Sequence, residues 1–403
     1  MLLTLAWRNI WRNKTRSIIL ILSVITGIWA GSMLTGVMNG MYGQRQEDAI
    51  KDEISSIQIH EKEFKADHDP RFIIPNGSEV LNKIRVLKEA KAVSGRIIAP
   101  GMILTAGSSA GVKINGIQPQ DEAGTRGLNN KIVLGEYFVS DKHNQVLIGQ
   151  KLADKMKVKE NSRVVLTFED LQNNVVSASF KIIGTFKTNN PNYDEANLYV
   201  RKQDLSELLG IGDNIHEIAI LLSNKESIDK VQKQLKSEYP ALTIENWREV
   251  APDISLMIDM GAGSSKIIMI IILFALAFGI INTMLMAMLE RKYEIGMMLA
   301  LGMNKVRLFS LIVLETILLV MTGVPFGLLL SYSAIKFFAK HGINLGYYGK
   351  GLESFGMSHI IRPHVSMSQY AEILVLVFIT AVIASLFPAR KAVKIDPAES
   401  IKT

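Results

Sequence analysis

The chain of 403 residues contains no cysteine. Disulfides and a lipid-modified cysteine are therefore excluded, while both an oxidising and a reducing compartment remain open. Nucleotide-binding chemistry is equally thin. The stretches 261–266 ("GAGSSK") and 346–351 ("GYYGKG") set glycines beside a lysine. Neither completes the Gly-Lys-Ser/Thr ending of a phosphate loop, and both read as turns at a helix entrance. A Gly-x-Ser-x-Gly nucleophile elbow is also missing. The 7 histidines are scattered. Neither "DHD" at 67–69 nor the pair His359 and His364 offers a ligand set at zinc spacing. The expectation is a chain with no catalytic residues, no metal site and no cofactor of its own.

Charge is missing in long blocks. No charged residue occurs from Ser17 to Gln44 or from Ile267 to Leu289, and Leu308 to Ile335 is broken only by Glu315. Ile373 to Ala389 is shorter and reaches spanning length if its helix begins near Ser368. A helix crosses the hydrocarbon core with about 20 apolar residues, so four spans are expected, at 17–40, 266–289, 308–338 and 368–389. The first is too long for a removable signal peptide, and Trp29 argues against cleavage there. The fold class is an α-helical membrane protein with four transmembrane helices and a large α+β extracytoplasmic domain, 41–265, inserted between the first two.

The net charge of +7 has a definite address. Arg8, Arg12, Lys14 and Arg16 precede the first span. Arg291, Lys292, Lys305 and Arg307 occupy the 290–307 connection, and Arg390, Lys391, Lys394 and Lys402 the 390–403 tail. By the positive-inside rule both termini and this connection are cytoplasmic. The 339–367 loop and the inserted domain are then outside. A basic excess explained by membrane topology makes nucleic-acid binding unnecessary.

Residues 1–16 form a basic amphipathic segment, with Leu3, Trp7, Ile10 and Trp11 on one face, suited to the headgroup plane. It reads as an anchor or as a collar coupled to the first span. That span carries Gly27, Gly31, Gly36 and Gly40 at every fourth or fifth position, which lets helix backbones approach closely. Packing within one subunit, a subunit interface or a cavity wall would all use such a stripe. Met33, Met38, Met260 and Met269 add adaptable apolar surface for packing or for greasy cargo. Asn282 offers a hydrogen bond across helices. Glu315 lies ~10 Å into the membrane at 1.5 Å per residue. An acid there needs a polar partner, either at the Lys/Arg-rich rim or in a pivot or gate.

The 41–265 segment alternates strand and helix signals. "EISSIQIH" (53–60) reads as a strand, and "GSEVLNKIRVLKEA" (77–90) as an amphipathic helix with Ser78 as N-cap. The sheet is expected to be split between 41–130 and 201–250, with a β-rich insertion at 131–200.

The connection "ERKYEIGMMLALGMNKVRLF" is the most telling stretch. Ile295, Met298, Leu299 and Gly302 fall on one helical face, and Glu290, Arg291, Lys292 and Glu294 crowd its start. A short cytoplasmic helix of this kind suits a groove in a soluble partner. Its Glu-Ile-Gly…Ala-Leu-Gly order resembles the signature of the FtsX/MacB-type permeases of ABC transporters, the mechanotransmission family. The ending "FPARKAVKIDPAESIK" and the third span "LETILLVMTGVPFGLLL" are also similar to that family, as is the order of one span, a large outside domain and three spans. "GVMNGMYGQRQE", "VLIGQKLADKMKVKENSRVVLTF", "FKIIGTFKT" and "NWRE" look closest to its lipoprotein-releasing branch.

The resemblance implies a permease dimer, homo- or heteromeric, in a bacterial inner membrane, served by two copies of a separate ATPase that binds ATP and Mg. Glu290, Arg291, Lys292, Glu294, Ile295, Gly296, Leu299, Ala300, Leu301 and Gly302 would form the ATPase-coupling helix. Lipoprotein cargo would leave the outer leaflet for a periplasmic chaperone. The hairpin matching the family's chaperone hook, Phe168 to Ser179, is short. That leaves the chaperone contact to another element, to a second permease, or to none. The rival readings are efflux of hydrophobic drugs, toxins or peptides through a periplasmic adaptor, and signalling that activates a periplasmic hydrolase.

Overall fold

The computed structural model describes residues 2–138 and 142–395, with Tyr348 and Lys350 described by backbone alone. The chain divides into two units. One comprises 1–42, 259–344 and 360–403; the other comprises 43–258 and 345–359. The last residues of the tail, 396–403, lie outside the described residues.

The first unit is a helix bundle. Among the described residues six helices build it: α1 (Leu2–Arg12), α2 (Lys14–Asp48), α3 (Pro252–Glu290), α4 (Lys292–Ala300), α5 (Lys305–His341) and α6 (Met367–Val393). α2, α3, α5 and α6 are long and apolar enough to cross a membrane. All four outrun or shift the spans set by charge, because a helix continues past the bilayer wherever its backbone stays bonded. α3 shows this best. It begins at Pro252, so "GAGSSK" lies within a helix and is not a turn. Gly261 is needed there because a side chain would run into the ring of Tyr42. α5 passes through Pro325 as one helix. α6 starts from a capping box: Gln369 N–H donates to Ser366 Oγ at 3.3 Å, and Ser366 N–H donates to Gln369 Oε1 at 2.9 Å.

The bundle core runs through every helix. Ile10 of α1 and Val24 and Ile28 of α2 join Leu273 and Ile280 of α3, Ile295 of α4, Val320 and Val324 of α5, and Val377 and Ala381 of α6. In a membrane, close packing of small residues replaces the hydrophobic drive between helices. Gly323 and Gly327 of α5 supply it. A Cβ on either would lie 3.1 Å from Val24 or Ile28 of α2.

The second unit is α+β. Its sheet strands are β1 (Ile57–His60), β2 (Ala90–Leu104), β3 (Ser109–Ile117), β4 (Ile132–Gly135), β5 (Gln145–Gly149), β6 (Arg163–Glu169), β7 (Val175–Phe186), β8 (Asn197–Arg201), β9 (Glu217–Leu222) and β10 (Thr243–Asn246). The order is β10-β1-β9-β2-β3-β8-β5-β7-β4, with β6 beside β2 and β7. β2 is the hinge of the design. Its first half pairs with β9 (Val93 opposite Ile220) and its second half with β6 (Ile103 opposite Leu166). The β-rich lobe consequently includes the end of β2 and all of β3, whose Ile103, Val112 and Ile114 share a core with Val146, Phe180 and Leu198. The expected insertion at 131–200 is therefore drawn too narrowly: a single 15-residue strand serves both lobes.

Three local expectations differ from the structure. The 53–60 strand is only Ile57–His60, because Ala49–Ile54 continues α2 as a π-helix. There Glu53 turns inward to accept from Arg45 Nη1 at 2.7 Å. The 77–90 helix stops at Arg85, since Ala90 enters β2 opposite Leu222. Ser78 is not its cap. Asn76 precedes the helix in a left-handed conformation without a capping bond, and Ser78 Oγ donates to Asp213 O at 3.4 Å.

A buried ionic chain crosses this unit. Arg126 Nη2 donates to the Glu53 carbonyl at 2.6 Å, and Arg126 Nη1 to Tyr199 Oη at 2.9 Å. Arg96 Nη2 lies 2.9 Å from Glu122, and Arg96 Nη1 lies 2.6 Å from Glu217. Burial alone would raise the Glu217 carboxyl. The hydrogen bond from His60 and the charge of Arg96 outweigh it and hold that group well below the usual carboxylate range. Within this chain of contacts each buried charge has a partner, as such burial requires.

Candidate coupling site

The connection between α3 and α5 is built from a turn, a helix and a second turn. α3 ends at Glu290, α4 runs from Lys292 to Ala300, and Gly302 follows with φ of 89°. Only glycine adopts that conformation without strain, and it redirects the chain. Asn304 then caps α5, its side chain accepting from Val306 N–H at 3.0 Å.

Of the α4 face that helical spacing marks for a partner, Ile295, Met298 and Leu299 pack inward, while Gly302 in the following turn is exposed. Ile295 is 4% exposed and belongs to the bundle core, with Met298 and Leu299 packed against it. Gly296 is buried too. The outward ridge is a different set, Tyr293, Met297, Ala300 and Leu301, and Leu301 is 83% exposed. The spacing of 293, 297 and 301 is i, i+4, i+8, one side of a helix. Sequence reasoning put the exposed side a few residues out because α4 has apolar residues all round; only packing separates the faces.

The charges at the head of α4 are also committed within the chain. Arg12 at the end of α1 pairs with Glu294. Glu290 accepts from Asn13 Nδ2 at 3.3 Å and lies 3.4 Å from Arg16 Nη1. Arg291 Nε lies 3.3 Å from Glu294, and its Nη1 lies 3.0 Å from Glu315. Arg291 thus joins two acids, and the intramembrane acid finds its partner at the rim. Hydrogen bonding to Arg12, reinforced by Arg291, holds the Glu294 carboxyl below its ordinary range. The rim partner of Glu315 was expected from the sequence, but the pairing of Arg12 with Glu294 went unseen because the two are 282 positions apart. The available signal was complementarity: an Arg-rich segment before one span and two acids at the head of a connection.

Lys292 is half-buried at the start of α4. In α2, a Cβ on Gly27 would rest on Leu276 of α3 at 3.6 Å, and one on Gly31 would meet Met269 at 3.1 Å. Gly36 faces Val365 and Ile335 instead. His364 N–H donates to the Gly36 carbonyl at 3.0 Å, and Asn39 Nδ2 donates to the His364 carbonyl at 3.0 Å. The stripe is therefore used inside this chain, on two different neighbours. Met33 and Met38 are half-buried, Met269 is buried, and Met260 is 64% exposed. Asn282 is exposed and has no hydrogen-bond partner among the described residues. It shares one side of α3 with the exposed Phe274, Phe278 and Met286. Among the described residues no cluster of His, Asp and Glu has the grouping to hold a metal ion.

Residues 17–238 match the MacB-like periplasmic core domain and residues 266–397 the FtsX-like permease C-terminal domain. An uncharacterized ABC transporter permease of Methanocaldococcus jannaschii, MJ1507, is 22% identical over 428 residues, covering 100% of this chain and 97% of that protein. The lipoprotein-releasing system transmembrane protein LolC of Buchnera aphidicola is 23% identical, covering 95% of this chain and 93% of LolC. The periplasmic region of MacB from Actinobacillus actinomycetemcomitans aligns with 53% of this chain and 98% of that structure, with 16% identity and a TM-score of 0.37. With both domain types present in order and the bundle and inserted domain in place, the chain belongs to the FtsX/MacB-type family of ABC transporter permeases.

Proposed function

We propose that this chain is the permease subunit of a lipoprotein-releasing ABC transporter in a bacterial inner membrane. A separate ATPase binds ATP and Mg and docks on α4, and its closure is passed through the bundle to the domain between α2 and α3. The observation that carries this reading is the Tyr293–Met297–Leu301 ridge, an exposed apolar strip on a short helix whose other side is locked into the core. The Arg12–Glu294 and Arg291–Glu315 pairs tie α4 to α1 and α5, so force applied to the ridge moves the helices rather than a loose connection. Both termini and α4 face the cytoplasm, in keeping with their basic residues. A second permease subunit covers the exposed side of α3, because an amide such as Asn282 is costly against lipid alone. The full-length likeness to LolC favours lipoproteins as cargo, passed on to a periplasmic chaperone.

Depletion of the protein followed by fractionation of the envelope tests the reading. Acylated lipoproteins accumulating in the inner membrane are the expected result. Normal sorting would refute lipoprotein release and direct attention to drug or peptide sensitivity and to cell-wall hydrolysis.

A further inference from the structure

At the end of the bundle that carries α4, two sets of three basic residues contrast. Arg12, Arg16 and Arg291 each find a carboxylate, in Glu294, Glu290 and Glu315. The side chains of Lys305, Arg390 and Lys394 have no ion pair or hydrogen bond among the described residues. Those three line one cleft of about 390 Å³ between the first turns of α5 and the last turns of α6. Val306, Phe309 and Val393 complete its wall. Lys305 and Phe309 are one helical turn apart, as are Arg390 and Lys394. Each helix therefore brings cations to the cleft, and the three carbons-only side chains lie among them. Three like charges around one cleft repel each other, and Val306 is 68% exposed beside them. An anionic group on an apolar stem resolves both penalties at once.

We propose that this cleft binds an anionic phospholipid. Its phosphate sits among Lys305, Arg390 and Lys394, and its first methylenes lie against Val306, Phe309 and Val393. Position supports the lipid over a free anion. Lys305 stands just before the apolar run of α5 and Lys394 just after that of α6, which places the cleft at the headgroup level. Basic pockets between membrane helices hold such headgroups, and the volume suits a headgroup with the start of its chains.

The test uses the full-length protein in nanodiscs of phosphatidylethanolamine alone or with cardiolipin, and native mass spectrometry after extraction. Cardiolipin should stay bound to the wild type. It should be lost from Lys305→Gln/Arg390→Gln/Lys394→Gln, with affinity falling roughly 100-fold, the effect of three surface cations acting together. Lys391→Gln, an exposed cation outside the cleft, should keep it. Arg390→Gln alone should bind with intermediate affinity, which covers the case of a triple variant that does not fold. Equal retention by the triple variant would overturn the proposal. So would protection by glycerol phosphate as strong as that by cardiolipin, which would mark a free-anion site. Loss of ATPase capture in the triple variant with lipid retention unchanged would assign the cleft to the ATPase and overturn it too.

Discussion

Arg291 sets its Nη1 3.0 Å from Oε1 of Glu315, 24 positions further on and inside α5. The same guanidinium reaches Glu294 through Nε at 3.3 Å. One side chain in a turn thus ties the connecting helix to a membrane helix, and the acid within the apolar run is paired rather than free.

That pair predicts an asymmetric mutational pattern. Arg291→Ala leaves the buried Glu315 without its partner and should cost about 3–5 kcal/mol, and Glu315→Ala should cost less, because Arg291 keeps Glu294. The double change Arg291→Met/Glu315→Leu should recover most of that loss, because an apolar replacement of a buried pair is often neutral. Thermal unfolding of the purified protein followed by size-exclusion chromatography measures both.

The exposed ridge separates coupling from folding. Met297→Asp/Leu301→Asp should leave expression and melting temperature unchanged, since both side chains are exposed. Capture of the partner ATPase should fall at least about tenfold, a loss of ~1.4 kcal/mol. Ile295→Asp should instead destabilise the permease, because it buries a charge in the bundle core. ATPase pull-down beside a melting curve distinguishes the two. Charge reversal at Glu294 is a poorer probe of coupling, because it also breaks the contact with Arg12.

The Arg12–Glu294 contact carries a pH signature. The Glu294 carboxyl is depressed first by its hydrogen bond to Arg12 and then by Arg291. A folded-state value below the unfolded value of about 4.3 means the contact stabilises fully above that pH. Its contribution is then lost as pH falls through the lower folded value. In a Trp29→Phe/Trp247→Phe background, fluorescence of Trp7 and Trp11 in α1 should be flat from neutral pH to about 5 and change only below that. Arg12→Glu should abolish the transition, and Arg12→Glu/Glu294→Arg should restore it, because the swapped pair again depends on one carboxylate.

The close approach of α5 to α2 predicts a contrast between two glycines. Gly323→Leu should destabilise the bundle by about 1–3 kcal/mol through overpacking, since even a Cβ there lies 3.1 Å from Val24. Gly279→Leu in α3 should be tolerated, because a Cβ there meets nothing within 4 Å. Melting temperatures of the two variants in one detergent give the comparison.

The apolar runs, the placement of basic residues and the Glu-Ile-Gly…Ala-Leu-Gly connection were enough for a four-span permease with one large inserted domain. Those features follow from local physics: a membrane span must be about 20 residues of low polarity, and a short helix flanked by charges is written in consecutive residues. What α4 shows to a partner was decided elsewhere. Its apolar residues surround the helix, and only the bundle core selects Ile295 for burial and leaves Leu301 outside. The partner of Glu315, the attachment of α1 to Glu294 and the double service of β2 share that origin. Each joins residues far apart in the chain, and loop closure over such distances is set by the packed whole, leaving no pattern in any local window.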